Sequence, residues 1–201
     1  MDSTSIRALI REMLLREAAY TPDTLPDGAM VDLEVTRSSS GSRLIIVNIS
    51  GVNGAYSGYL RANNNTYMSE PCFDAFQVKM STNSGVQGIG PLLYDIAMEV
   101  ASEIGGGLYA DRSEVSGEAR NVWDYYDRNR PDVKKFGMDS PENERTPDLY
   151  DNCDVEIPKT EMLYDNWWDD PLAKVYVKKG LPFIRRLMEL GKIRFKGWEP
   201  K

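Results

Sequence analysis

The stretch from Ala75 to Asp111 limits the possible folds more than any other, because its hydrophobic period changes twice. Phe76, Val78 and Met80 alternate with Gln77 and Lys79, the spacing of a strand. Leu92, Leu93, Ile96, Ala97, Val100, Ala101 and Ile104 then recur at helical spacing, with Pro91 in the first turn and Gly105-Gly106-Gly107 as the stop. The segment GLYAD at 107–111 is again short and strand-like. Strand, helix and strand in succession make a crossover unit, and the handedness of such units predicts that 75–80 and 108–111 lie parallel and close together.

Upstream, the pattern is that of antiparallel sheet. Val31, Leu33 and Val35 alternate with Asp32, Glu34 and Thr36 in a half-buried strand over Met30–Thr36, and LIIVNI at 44–49 is a second, more deeply buried one. The flexible SSSGS between them predicts a hairpin. Tyr56–Ala62 is a weaker strand candidate. Ahead of the sheet, Ser3 or Thr4 can cap an amphipathic helix to about Ala18, with Ile6, Leu9, Ile10, Met13 and Leu14 on one face. Beyond the crossover, Ser116 opens a helix on which Ala119, Val122, Trp123 and Tyr126 share a stripe, ending near Asn129-Arg130-Pro131. Residues 131–171 hold five of the 11 prolines and little periodicity, which predicts a long irregular excursion. LAKVYVK at 172–178 returns as a strand, Gly180 breaks the chain, and Pro182–Leu190 forms a last amphipathic helix. The expected architecture is one α/β domain over 1–201 with a mixed, mostly antiparallel sheet and flanking helices. It comprises an N-terminal helix and turn (1–27), a core (28–130) and an irregular loop followed by strand and helix (131–201).

Composition narrows the chemistry. The 201 residues suffice for one sizeable core. The absence of histidine removes Ser-His-Asp and Cys-His nucleophile systems, HExxH zinc hydrolysis and imidazole bases at once. Catalysis is left to carboxylates, tyrosines, lysines, thiols and backbone dipoles. No apolar run approaches the roughly 18 residues of a membrane span, and the charged N-terminal stretch does not read as a secretory signal, so the expected location is cytoplasmic. Cys72 and Cys153, far apart and without CxxC spacing, read as free thiols. No metal site is expected, since Asp165, Asp169 and Asp170 lack the glycine and closing glutamate of an EF-hand. The net charge of -7 is divided unevenly: 174–201 carries nine basic side chains against Glu189 and Glu199, whereas 139–156 carries seven acidic ones against Arg145. That balance does not suit nucleic acid over the whole surface, although the basic tail could touch phosphates locally. A solvated charged helix beside an acidic loop explains the same pattern.

The segment STNSGVQGIGPLLYDIA joins the first strand of the crossover to its helix. Closely spaced Gly85, Gly88 and Gly90 let backbone N–H groups converge, and the helix N-terminus adds a positive dipole, so the loop can cradle a pyrophosphate. It is not a P-loop, because Pro91-Leu92 follow Gly90 in place of Lys and Ser/Thr. It is not a dinucleotide fingerprint either, because Leu93 stands at the last glycine and the preceding strands are antiparallel. The succession of strand, loop ending in Gly88-Ile89-Gly90, apolar helix, short strand and a helix carrying Ala119-x-x-Val122-Trp123-x-x-Tyr126 resembles the GNAT family of N-acetyltransferases. It is similar in particular to short, divergent versions encoded by bacteriophages, through GIGPLLYD, DRSEVS and VWDYY, and the resemblance covers about residues 28–130.

The resemblance implies a GNAT-like acyl-CoA N-acyltransferase fold. It also implies acetyl-CoA as co-substrate, and acetyl transfer by direct attack of an amine on a small molecule or protein. Against the family's loop pattern Arg/Gln-x-x-Gly-x-Gly/Ala, Gly88 and Gly90 match, Gly85 stands where Arg or Gln is usual, and Gln87 can substitute by a shift of register. The coenzyme contacts so implied are Met80, Ser81, Gly85, Val86, Gln87, Gly88, Ile89, Gly90 and Ser116, the last equally readable as a helix cap. The two parallel strands would splay to admit the pantetheine arm, with a backbone N–H near Met80 or Ser81 polarising the thioester carbonyl. In the family a tyrosine protonates the departing thiolate within a pattern close to Ala-x-x-Leu-Tyr. Here Ala119 and Val122 match and Trp123 stands at the tyrosine, so Tyr126, or Tyr125 about 100° around the helix, is left for the role, or the stripe is simply core. Glu34, with Asp32 and Asp74, is a candidate base or an ordinary exposed carboxylate. Residues 139–171 are a candidate surface for a protein partner, and Trp167-Trp168 would pin that loop to the core or to another subunit. A second function stays open: an inactive relative acting as a binding or structural component, in a virion or toward a host protein.

Overall fold

The computed structural model describes residues 20–39, 41–51, 58–64, 72–84, 86–111, 115–139, 146–148, 150–153 and 169–201. The expected helix over 3–18, Gly85 and the Trp167-Trp168 pair lie outside them. The alternating segment forms β1 (Met30–Arg37), antiparallel to β2 (Arg43–Ser50). Their register sets Val31 opposite Ile49, Leu33 opposite Val47 and Val35 opposite Ile45, so the apolar residues of both strands share one face. Val31, Leu33, Ile45, Val47 and Ile49 are accordingly buried. β3 (Gly58–Asn63) and β4 (Phe76–Asn83) continue the antiparallel series.

The crossover forms as the period change predicts. α1 (Ile89–Ile104) leads from β4 to β5 (Leu108–Tyr109), and β5 is parallel to β4. The helix begins three residues before Leu92, because Gly88 takes a left-handed conformation (φ 84°) and turns the chain directly into it. Pro91 is its third residue, where the missing N–H is one that a first turn leaves unbonded anyway. At the far end Gly106 passes so close to Phe73 that an added Cβ would lie 1.7 Å from its carbonyl oxygen. α2 (Gly117–Asn129) follows with Ser116 as its cap, then β6 (Val133–Gly137), β7 (Lys174–Lys178), α3 (Pro182–Glu189) and β8 (Ile193–Lys196). Among the described residues the result is an α/β arrangement with a mixed sheet of eight strands in the order β6-β7-β5-β4-β3-β2-β1-β8.

Three features depart from the expectations. β6 falls in the supposed irregular excursion: it is an edge strand on which only Val133 is buried, so it shows no alternation. β8 has four residues and pairs in parallel with β1, bringing the basic tail onto acidic side chains. Arg194 forks onto Asp32 at 2.7 and 2.9 Å, and Lys196 Nζ lies 2.8 Å from Glu34. Finally, Cys72 and Cys153 form a disulfide rather than two free thiols. Their loops are 81 residues apart in sequence but run side by side, with Cys72 N–H donating to Asn152 O (3.0 Å) and Phe73 N–H to Tyr150 O (2.8 Å). Such bonds are uncommon in the reducing cytoplasm, so the pairing does not support a cytoplasmic address. No helix among the described residues is long and apolar enough to cross a membrane.

A buried ion network locks the helices to the sheet. Lys178 on β7 reaches Asp95 (2.9 Å) and Glu99 (2.8 Å) of α1, and Arg130 at the end of α2 binds both oxygens of Asp95 at 3.0 and 2.8 Å. Glu99 also accepts the Phe183 and Ile184 N–H groups in the first turn of α3, each at 3.0 Å. Replacing Lys178 by Met strands Glu99, which is 0% exposed, beside Asp95. The loss should be about 3–5 kcal/mol, read as a lowered urea midpoint. Reducing the Cys72–Cys153 bond should destabilise the chain by about 2–5 kcal/mol, checked by thermal unfolding with and without reductant.

Candidate functional site

β4 and β5 are joined only by Phe76 opposite Leu108 and Gln77 opposite Tyr109. Beyond that point β5 ends while β4 runs on to Asn83. On its other side β4 shifts register against β3, from Ala62 opposite Val78 to Arg61 opposite Met80, which leaves Lys79 as an extra residue. A bulge of this kind increases local twist and re-aims the strand. Past the paired residues lies a cleft of about 100 Å³, bounded by Val78–Ser81 on one side and Asp111, Val115 and Ser116 on the other. Lys79 Nζ lies 3.3 Å from Asp111 Oδ2 and links the two sides.

Two aromatic side chains complete the cleft wall, Tyr94 from α1 and Trp123 from α2, edge to face with ring centroids 5.3 Å apart. Burial pushes the Tyr94 hydroxyl up to about 12, and a hydrogen bond with the Ser81 side chain opposes that rise. A second, larger hollow of about 490 Å³ lies at the N-terminus of α1. Gly88, Gly90 and Pro91 line it on one side, Val122 and Tyr125 of α2 on another, and the largely buried Asp95–Arg130 pair forms part of its wall. The larger hollow adjoins the glycine turn, and both hollows border the first turns of α2.

The structure brings together part of the set expected from sequence. Met80, Ser81 and Ser116 meet at the cleft, and Gly88 and Gly90 at the larger hollow. The Ser116 hydroxyl caps α2 by accepting the Ala119 N–H at 3.2 Å. Val86 and Ile89 turn their side chains into the core, and Gln87 is exposed.

Neither residue expected to be catalytic reaches the cleft. Tyr126 is 0% exposed, its hydroxyl donates to the Pro91 carbonyl at 3.2 Å, and Arg130 lies 5.1 Å above its ring. Burial first, and then Asp95, push that hydroxyl well above the usual phenol range. Tyr126 is therefore a core side chain. Glu34 sits on β1, three strands from β4, roughly 14 Å away at ~4.8 Å per strand, and is held by Lys196. Asp32 is held by Arg194, and Asp74 lies in the turn before β4, bonded to Arg43 and to Asn64 (2.9 Å). Among the described residues, the titratable groups that line the cleft are Tyr94, Asp111 and Lys79. Helical spacing puts Tyr94 on the apolar α1, where a polar-tipped ring was the available signal, but spacing alone does not say which neighbour it meets.

The protein is thus an α/β chain with a cleft between two parallel strands and a glycine turn beside it. No family model matches it, and neither do any curated proteins or solved structures. One consequence of the cleft is testable by titration. The Tyr94 proton is retained in the folded chain up to about 12, against about 10 for an ordinary phenol. Stability tied to it is therefore complete below about pH 10 and is lost as pH rises toward 12. Denaturant titrations over that range should show a falling stability in the native chain and a flatter one in Tyr94→Phe.

Proposed function

We propose that the protein is a GNAT-like N-acyltransferase that binds acetyl-CoA and passes the acetyl group to an amine. The observation that carries this reading is that parallel β4 and β5 stop pairing past Gln77, with a cleft there, on the strand that leads into the glycine turn of α1. The sheet otherwise runs antiparallel from β1 to β4, as the resemblance requires.

Each part of the reaction has a local counterpart. Pro91 removes one amide from the start of α1, which leaves the Ile89 and Gly90 N–H groups and the helix dipole to meet the coenzyme pyrophosphate. The cleft, with the volume of about three water molecules, suits the acyl group and sulfur rather than a whole ligand. The β4 backbone near Met80 and Ser81 supplies the donor for the carbonyl oxygen as negative charge builds there. Asp111, at the cleft mouth beside Lys79, takes the place of Glu34 as the carboxylate that accepts the amine proton, directly or through water.

A second reading draws on Trp123, which is 1% exposed and packs against Tyr94 and Tyr176 where a proton-donating tyrosine would stand. In it the chain keeps the fold as a binding or structural component. Calorimetric titration separates the two. Acetyl-CoA and coenzyme A should bind in the micromolar range while ATP does not, and absence of binding at millimolar acetyl-CoA would sink the transferase reading. Gly90 is the cleaner probe of the turn than Gly88, because nothing lies within 4 Å of a Cβ added there. Gly90→Ala should leave stability within about 1 kcal/mol of the native chain while weakening coenzyme A binding tenfold or more, roughly 1.4 kcal/mol.

A further inference from the structure

We propose that the buried Lys178 side chain is a nucleophile, and that the folded chain joins its Nζ to the Asp95 carboxyl carbon in an amide bond with loss of water. Neither side chain has a part in the transferase reading above. The Lys178 residue is 3% exposed, and its ammonium lies 2.9 Å from Asp95 Oδ1. A second buried carboxylate, Glu99 Oε1, lies 2.8 Å from the same nitrogen. The Phe183 ring covers that nitrogen, with its centroid 3.9 Å away. Arg130 forks onto both Asp95 oxygens at 3.0 and 2.8 Å and so polarises that carboxyl group. Both Glu99 oxygens are instead committed to backbone N–H groups of Phe183 and Ile184, which makes Asp95 the carbon attacked.

In water an ammonium and a carboxylate do not condense, because the two hydrated ions are favoured over the amide. Burial reverses that preference, since the bond replaces two desolvated charges by a neutral group. Holding the partners in contact adds an effective concentration of roughly 10⁵–10⁸ M. Glu99 moves the protons, and burial raises its carboxyl above the ordinary range, which suits it to hold one. It takes a proton from the Lys178 ammonium, and the freed lone pair on nitrogen bonds to the Asp95 carbon. The Arg130 guanidinium meets the negative charge that builds on the two oxygens. One of these oxygens then receives the proton from Glu99 and a second from the nitrogen. Its bond to carbon breaks with the electron pair going to oxygen, and water leaves. The nitrogen keeps one hydrogen, and Glu99 ends as the carboxylate it was, so charge and protons balance. The larger hollow, lined in part by Asp95, Arg130 and Phe183, receives the water. No remaining charge is stranded: Arg130 keeps Asp132 at 2.8 and 2.7 Å, and Glu99 keeps the first turn of α3. The product ties α1 to β7 covalently across 83 positions of sequence.

Mass spectrometry of the full chain tests this without any ligand. The native protein is incubated folded at neutral pH, then reduced at Cys72–Cys153, unfolded and weighed. A fraction lighter than the sequence by one water molecule should accumulate with time. A protease that cuts after lysine should pass over Lys178 in that fraction and release a branched peptide joining the Lys178 and Asp95 segments. Lys178→Arg, which keeps the positive charge, and Glu99→Gln should both stay at full mass. Where a variant does not fold, the branched peptide of the native chain decides alone. A native chain that stays at full mass after prolonged incubation, with no branched peptide, overturns the proposal and leaves Lys178 as an ion-pair partner only. The same loss of water from folded Lys178→Arg overturns it as well, because the water then comes from elsewhere in the chain.

Discussion

Lys178 is the contact on which the arrangement of helices depends. α1 buries two carboxylates one turn apart, Asp95 and Glu99, a pairing that would repel and drive the helix outward if left alone. The ammonium of Lys178 sits within 3 Å of both, Arg130 closes the other side of Asp95, and the first turn of α3 caps Glu99. Burial raises the Glu99 carboxyl above its usual range, with Lys178 as the chief opposing influence. The desolvation cost of such a cluster cancels much of its attraction, so its main effect is geometric. One point on β7 ties together three helices, and α1 cannot slide or rotate without exposing an unpaired charge.

That fixed helix defines the candidate site. The start of α1 is held at Gly88, where Tyr20 N–H also donates to the Gly88 carbonyl at 3.0 Å, and its second turn presents Tyr94 to the cleft. The opening itself has a different origin: β5 is two residues long and soon stops pairing with β4, whose ladder on the other side is interrupted by the extra residue at Lys79. Trp123, Tyr126 and Tyr176 pack beneath as one aromatic group and keep the cleft shallow. A rigid base with a short, divergent pair of strands above it yields a narrow slot, which is better suited to a thin chain end than to a bulky ligand.

The edges of the sheet are protected by charge. Lys134 and Lys135 are exposed on β6, and Arg194 and Lys196 face outward on β8, so both end strands discourage addition of further strands. The same basic residues on β8 pair with Asp32 and Glu34, bringing part of the basic tail onto the acidic face of β1. The disulfide joins the Cys72 turn to Cys153, next to the bridge between Asp139 and Asn152.

Local periodicity was enough to read β1, β2, β4, the crossover helix, α2, β7 and α3. In each of them several apolar side chains repeat on one face, and burial of that face decides the conformation. The parallel relation of β4 and β5 was legible too, because handedness leaves one way to connect them. β6 and β8 were not, since an edge strand buries one face over few residues and leaves little pattern. The disulfide, and the place of Tyr94 and Asp111 in the cleft wall with Tyr126 in the core and Glu34 three strands away, were invisible for a deeper reason. Spacing records which side of a helix or strand a residue occupies, whereas the identity of its neighbour is set by how elements distant in sequence pack. Tyr94 and Tyr126 both read as polar-tipped aromatics on amphipathic helices, and only the crossing of α1 and α2 turns one toward the cleft and the other into the core.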